Sequence, residues 1–144
     1  MANELVVGVD TSESSRRAVT YACAAASRSG STLVLVHVIP WSPFSFTTPD
    51  ENEHRHQRKE AEIEAVNSQI MEPLSALARE CGVDAATRVE HGDPPDTLIE
   101  IAEHEKATLI IVGRTGDSGL RGRLFGTLAG HLVQQSPIPV TVVP

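Results

Sequence analysis

The segment Val112–Leu132, VGRTGDSGLRGRLFGTLAGHL, gathers the residues best suited to chemistry in this chain. Glycines stand at 113, 116, 119, 122, 126 and 130, six of the chain's ten. Arg114, Arg121 and Arg123 lie among them, although the formal net charge of the chain is -7. Glycine tolerates positive φ and lets backbone come close to another group. The apolar run TLIIV ends at Val112, and a helical pattern starts near Thr127. A helix N-terminus presents unpaired N–H groups and a partial positive charge, which suit an anion. Together these features point to a phosphorylated small molecule. Composition alone equally allows that the glycines only shape a loop. No G-x-x-x-x-G-K-[ST] is present, and no G-x-G-x-x-G follows the first strand, so neither a P-loop nor a dinucleotide fingerprint is expected.

The elements that must position this segment follow from apolar periodicity. Glu4–Val9, Thr32–Val38, Ala85–Glu90, Thr108–Val112 and Ile138–Val143 read as short strands. They are rich in β-branched residues and lack strict alternation, the pattern of strands buried on both faces. Helices are predicted from about Ser14 to Gly30, from about Glu51 to Cys81, from Pro95 to about Glu105, and from about Thr127 to Gln135. DTSESS supplies N-caps for the first, and Gly30 and Gly82 close the first and second. Pro73 falls inside the second and should kink or split it. Strands alternating with helices give an α/β fold built on an open parallel sheet with helices on both faces. The chain of 144 residues reads as one domain, with no repeat and no linker.

Composition narrows the function. Hydrophobic residues make up 40% and charged residues 22%, a globular balance. With five aromatics, the core must be built of Val, Leu, Ile and Ala. The acidic charge argues against duplex nucleic acid, which needs a basic face. The N-terminus enters a strand pattern at once and no long apolar run follows, so a cytoplasmic protein without membrane insertion is expected. Cys23 and Cys81 lack metal-ligand spacing and read as structural thiols of a reducing compartment. His54 and His56, two apart, do not share a helix face and make no metal site. His37, inside a strand, reads as a core histidine with a satisfied ring. WSPFSF reads as a lid over the base, as a patch for a partner, or as a loop tucked onto the sheet end. No nucleophile–base pair emerges from the spacing of Ser, His and carboxylates.

Gly113, Gly116 and Gly126-Thr127 fall into G-x2-G-x9-G-[ST], between a strand and a helix. In this respect the chain resembles the ATP-binding type of the universal stress protein family. LVVGVDTSESSRRAV, VHVIP and HGDPPDTLIEIA resemble that family as well, so the likeness runs from about Glu4 to Val143. It implies a Rossmann-like sheet of strand order 3-2-1-4-5, with a nucleotide at the reversal between the first and fourth strands. It places Val9, Asp10 and Val38 around adenine and ribose, and Gly113, Arg114 and Gly116 by ribose and phosphates. Gly126 and Thr127 would hold phosphate oxygens, Leu128 would also belong to the nucleotide site, and a Mg2+ can accompany the phosphates. Where the family places a hydroxyl after G-[ST], this chain has Leu128 and Ala129, and Asp117 follows Gly116. ATP is the expected nucleotide, and these departures leave AMP or another adenine nucleotide, a cyclic one included, open as the alternative.

The resemblance implies a nucleotide-binding stress-response regulator that acts through protein contacts. A slow ATPase or nucleotidyl-transfer enzyme, and a dimeric scaffold without nucleotide, are the other two readings. The terminal apolar strand, Val140–Val143 at its centre, has no following helix to cover it. An open edge of this kind invites pairing, so a homodimer through that strand is expected, as the resemblance also implies.

Overall fold

The structure, a computed structural model, describes residues 3–41, 49–115 and 128–144, the side chains of 49–53 excepted. Five strands form one parallel sheet: β1 (Glu4–Gly8), β2 (Thr32–Pro40), β3 (Ala85–Gly92), β4 (Leu109–Gly113) and β5 (Val140–Val143). Their order is β3-β2-β1-β4-β5, as expected. The central strand β1 pairs Gly8 with Val36 on one side and with Val112 on the other. Among the described residues, five α-helices surround the sheet: α1 (Glu13–Ser29), α2 (Pro49–Val66), α3 (Glu72–Glu80), α4 (Pro94–His104) and α5 (Leu128–Gln135).

Strand side chains alternate between two apolar layers. Leu5, Val7, Leu33, Leu35 and Ile111 pack with Ala18, Val19, Ala22 and Cys23 of α1 and with Leu74 and Ala78 of α3. Val6, Val34, Val36, Ile110 and Val112 pack with Leu98, Ile101 and Ala102 of α4 and with Ala129 and Leu132 of α5. Both faces are covered, which is why the strand sequences run apolar without a polar alternate.

Local chemistry sets the ends. Ser12 caps α1, its side chain accepting from the Ser15 N–H, and Gly30 ends the helix at φ +68. Asp93 caps α4 by accepting from the Asp96 N–H, which moves the helix start to Pro94. The long helix expected to Cys81 is divided. Between α2 and α3, Asn67–Met71 is π-helical, and the Glu72 N–H reaches back to the Asn67 carbonyl. Pro73 has no N–H to continue an α ladder, and the wider turn just before it accommodates that loss. The last strand starts at Val140 rather than Ile138, because Ser136 Oγ accepts from the Ile138 N–H and donates to the Ile138 carbonyl. Pro139 cannot donate to the ladder, although its carbonyl accepts from the Ile110 N–H.

One carboxyl is poorly placed. Glu4 Oε2 is buried without a hydrogen-bond donor. Burial, then a hydrogen bond to the Glu105 carboxyl, then the Glu105 charge all raise the Glu4 pKa above 4.5. A hydrogen bond between two carboxyls requires a proton on one of them, so the folded chain holds that proton more tightly than the unfolded chain does. Glu105 in turn meets Arg88 at 3.1 Å, and Arg88 also pairs with Glu90. A raised carboxyl pKa favours folding below the unfolded value and loses that contribution as pH rises through the folded value. Glu4→Gln, neutral at every pH and able to donate to Glu105, should therefore melt higher than wild type at pH 7. The difference should close below about pH 4, as checked by thermal denaturation across pH.

Candidate functional site

A cleft of about 840 Å³ opens at the carboxyl ends of β1, β2 and β4. It lies where the strand order reverses, between β1 and β4, the position at which open α/β sheets take ligands. Its volume falls within the roughly 300–1,000 Å³ of small-molecule sites. Val9, Asp10, Val38, Gly113, Arg114 and Leu128 all line it. Of the other predicted residues, Gly116, Gly126 and Thr127 lie outside the described residues, as do Asp117, Arg121 and Arg123 and the loop after Trp41.

The floor is made by close backbone packing. A Cβ on Gly8 would stand 2.9 Å from Leu98 Cδ2 and 3.0 Å from Val112 Cγ1. A Cβ on Gly113 would stand 2.7 Å from Ser14 Cβ and 2.9 Å from the Ser14 carbonyl carbon. Gly113 thus lets the first turn of α1 lie directly on the end of β4. The Thr115 N–H reaches Ser14 Oγ at 3.4 Å, and the Arg114 N–H donates to the Val143 carbonyl at 2.7 Å. The helix itself is the group that approaches this glycine.

Asp10 is held by the same turn. Its Oδ1 accepts from the Ser12 N–H at 2.8 Å, from Ser15 Oγ at 2.8 Å and from Ser12 Oγ. The Asp10 N–H donates to Ser15 Oγ at 2.8 Å. A carboxylate at a helix N-terminus is stabilised by the free N–H groups there. Asp10 therefore closes the β1-to-α1 turn as it borders the cleft.

His37 sits half-buried on β2 and its Nδ1 lies 2.6 Å from the Val9 carbonyl. A carbonyl only accepts, so Nδ1 carries the hydrogen and the neutral ring has Nε2 as its acceptor. The satisfied ring matches the sequence reading, yet His37 also lines the cleft. The far wall, Asp93, Pro94, Pro95 and Asp96 of the α4 start with His131 and Gln135 of α5, was not assigned a role from the residues. HGDPPDT marked a helix start, but nothing local in it says that the start faces β1. Among the described lining residues, Asp10, Asp93 and Asp96 are opposed by Arg114. No group of three His, Cys, Asp or Glu side chains among the described residues is arranged to hold a metal.

The rim near Pro40 is tied to α2 by polar and aromatic contacts. The Trp41 and His91 rings stack with centroids 5.9 Å apart, and Lys59 Nζ lies 4.8 Å from the Trp41 ring centroid. His91 Nε2 meets Glu62 Oε2 at 3.1 Å.

An open parallel sheet with a cleft at its switch point defines a Rossmann-like α/β class. Within it, this chain belongs to the universal stress protein family, whose model matches residues 1–144. A universal stress protein of Methanocaldococcus jannaschii is 29% identical over 140 residues, covering 97% of this chain and 81% of the relative. The structure of universal stress protein UspA from Lactobacillus plantarum superposes with a TM-score of 0.82 at 23% identity, over 99% of this chain and 97% of that one. A universal stress protein solved in complex with cAMP has a TM-score of 0.69 at 29% identity, over 99% and 96% of the two chains. Among the described residues no helix is long and apolar enough to cross a membrane.

The packing of Gly113 on Ser14 carries a direct expectation. Gly113→Ala must push α1 away from β4 and should destabilise by about 1–3 kcal/mol, the usual cost of overpacking. Thermal denaturation without any ligand reads this, so the loss is separate from any effect on binding.

Proposed function

We propose that this chain binds an adenine nucleotide in the cleft between the ends of β1 and β4 and works as a cytoplasmic stress-response regulator through protein contacts. The observation that carries the reading is the cleft at the strand-order reversal, bordered by Val9, Asp10, Val38, Gly113, Arg114 and Leu128. Support also comes from the relative solved with cAMP, which is similar over nearly the whole chain. In this reading Val9, Val38 and Leu128 give the base an apolar surface, and Asp10 faces the ribose. Gly113, Arg114, Gly116, Gly126 and Thr127 approach the phosphates. ATP, AMP and a cyclic nucleotide compete for the same place, and a Mg2+ would arrive on the phosphates of ATP.

The nucleotide reading is tested by native mass spectrometry of freshly purified protein and by calorimetry with ATP, AMP and cAMP. Wild type should bind at least one of them. Gly126→Val should abolish binding while the protein stays folded. Thr127→Ala should weaken it by on the order of 1 kcal/mol, roughly fivefold. Unchanged affinity in a folded Gly126→Val protein would remove the phosphate cradle. Multiple-turnover phosphate release at ~1–1,000 per second would make the protein an enzyme instead.

The partner surface in this reading is β5. Among the described residues β5 pairs only with β4, which leaves its other side as a sheet edge. Pairing that edge with a second copy would satisfy its backbone and give a closed two-fold dimer. Sedimentation equilibrium should find a dimer at micromolar concentration, and Val142→Pro, which deletes an edge N–H, should shift it toward monomer.

A further inference from the structure

The rim of the cleft carries four side chains that nucleotide binding does not use. Trp41, the one tryptophan of the chain, follows Pro40 at the end of β2 and is exposed. Pro40 itself lines the cleft. On the neighbouring strand β3, His91 is the register partner of Ile39, and Gly92 that of Pro40. The His91 and Trp41 rings stack with centroids 5.9 Å apart and planes at 29°. From α2, Lys59 Nζ stands 4.8 Å from the Trp41 centroid, and Glu62 Oε2 lies 3.1 Å from His91 Nε2. Lys59 and Glu62 are three residues apart, so one face of α2 delivers both. The His91 side chain is only 11% exposed.

The contact with Glu62 fixes where the ring carries its hydrogen. A carboxylate only accepts, so Nε2 donates and the neutral ring keeps its lone pair at Nδ1. A proton added at Nδ1 leaves the Nε2–H···O bond in place and makes it an ion pair, charge-assisted on both sides. It also sets a cation against the face of an indole. Lys59 opposes this, since it holds a positive charge on the same indole. Glu62 acts at hydrogen-bond distance from the ring itself, whereas Lys59 acts on the neighbouring ring, so the attraction prevails. The other charged and titratable neighbours are engaged elsewhere. Arg88 and Glu90 of β3 pair with each other, and His37 of β2 is tied to the Val9 carbonyl.

We propose that Trp41, His91, Lys59 and Glu62 form a pH-sensitive clasp between α2 and the rim of the cleft, drawn tighter when His91 takes up a proton. Histidine is the side chain whose charge ordinarily changes between pH 5 and 8. A proton that strengthens a contact shifts the balance toward the clasped form as pH falls, and its loss as pH rises releases α2. Pro40 is joined to Trp41, so the clasp sets the rim whatever the cleft holds. The device therefore does not depend on which ligand, if any, occupies the site.

The test uses the full chain without ligand and reads Trp41 emission between pH 8 and pH 5. An imidazolium stacked on an indole quenches its emission, and a neutral imidazole does so far less. Wild type should show one quenching step in this interval. His91→Gln keeps an N–H for Glu62 but carries no charge, and should give a flat profile in a folded protein. Glu62→Gln should move the step to lower pH. Lys59→Met, which removes the opposing charge, should move it to higher pH. Hydrogen exchange of the α2 amides, corrected for intrinsic rates, reads the hold on the helix. Protection should rise from pH 8 to pH 5 by about fivefold more in wild type than in His91→Gln, the step from a neutral to a charged hydrogen bond. His56 meets Glu60 within α2, and His91→Gln leaves that pair in place, so the comparison removes its share. A flat wild-type profile, a step that survives in His91→Gln, a step unmoved by Glu62→Gln, or equal changes in protection in the two proteins would overturn the proposal.

Discussion

The contact between Gly113 and the first turn of α1 is the constraint on which the cleft depends. The end of β4 can lie beside the start of α1 only because position 113 has no Cβ. With α1 seated there, Ser12 and Ser15 face back toward β1 and capture Asp10. The ends of β1 and β4 are thereby fixed relative to one helix, and the gap between them becomes a shaped opening. The sheet register alone would leave that gap undefined, because Gly8 pairs with Val112 one residue before either chain turns away.

Much of this arrangement was legible in the sequence. The parallel sheet follows from βα alternation, its strand order was implied by the family resemblance, and apolar runs such as LVLV in β2 identify strands covered on both faces. The caps Ser12 and Gly30 were visible because their chemistry is local. What was not legible depends on contacts between distant residues. Gly113 stood out as a glycine, but only the fold reveals that a helix, one hundred residues earlier in the chain, occupies the space a side chain would take. Gly8 gives no local signal either, since its neighbours Leu98 and Val112 come from other elements. The wall from Asp93 to Asp96 was recognisable as a helix start, while its orientation toward β1 is set by the crossover. The π-helical turn before Pro73 was half visible: proline forbids an unbroken ladder, yet it does not say whether the chain kinks, breaks or widens.

The two faces of the molecule differ in how they could support a ligand. On the α4 and α5 side, the cleft wall rests on Leu98 and Leu132, which are almost wholly buried and set in the core. On the α1 side, it rests on a polar turn of Ser, Asp and backbone N–H groups. The first kind of wall keeps its shape through packing. The second keeps it through directed hydrogen bonds, so small changes in α1 are passed to Asp10 and Arg114 more directly than changes in α4.

The π-helical turn has a mechanical consequence for the rim. It separates α3, anchored by Leu74 and Ala78 in the core, from α2, whose described side chains are at most half-buried. Bending in a helix concentrates at such turns and at proline, so α2 behaves as an arm jointed at Asn67–Met71. The half of α2 nearer that joint is moored to the rim by the Lys59 ammonium on Trp41 and by Glu62 on His91. Dissolved ions screen exposed charges over about 10 Å at 0.1 M. The arm's grip on the rim therefore tracks ionic strength, while α3 and the sheet beneath it do not.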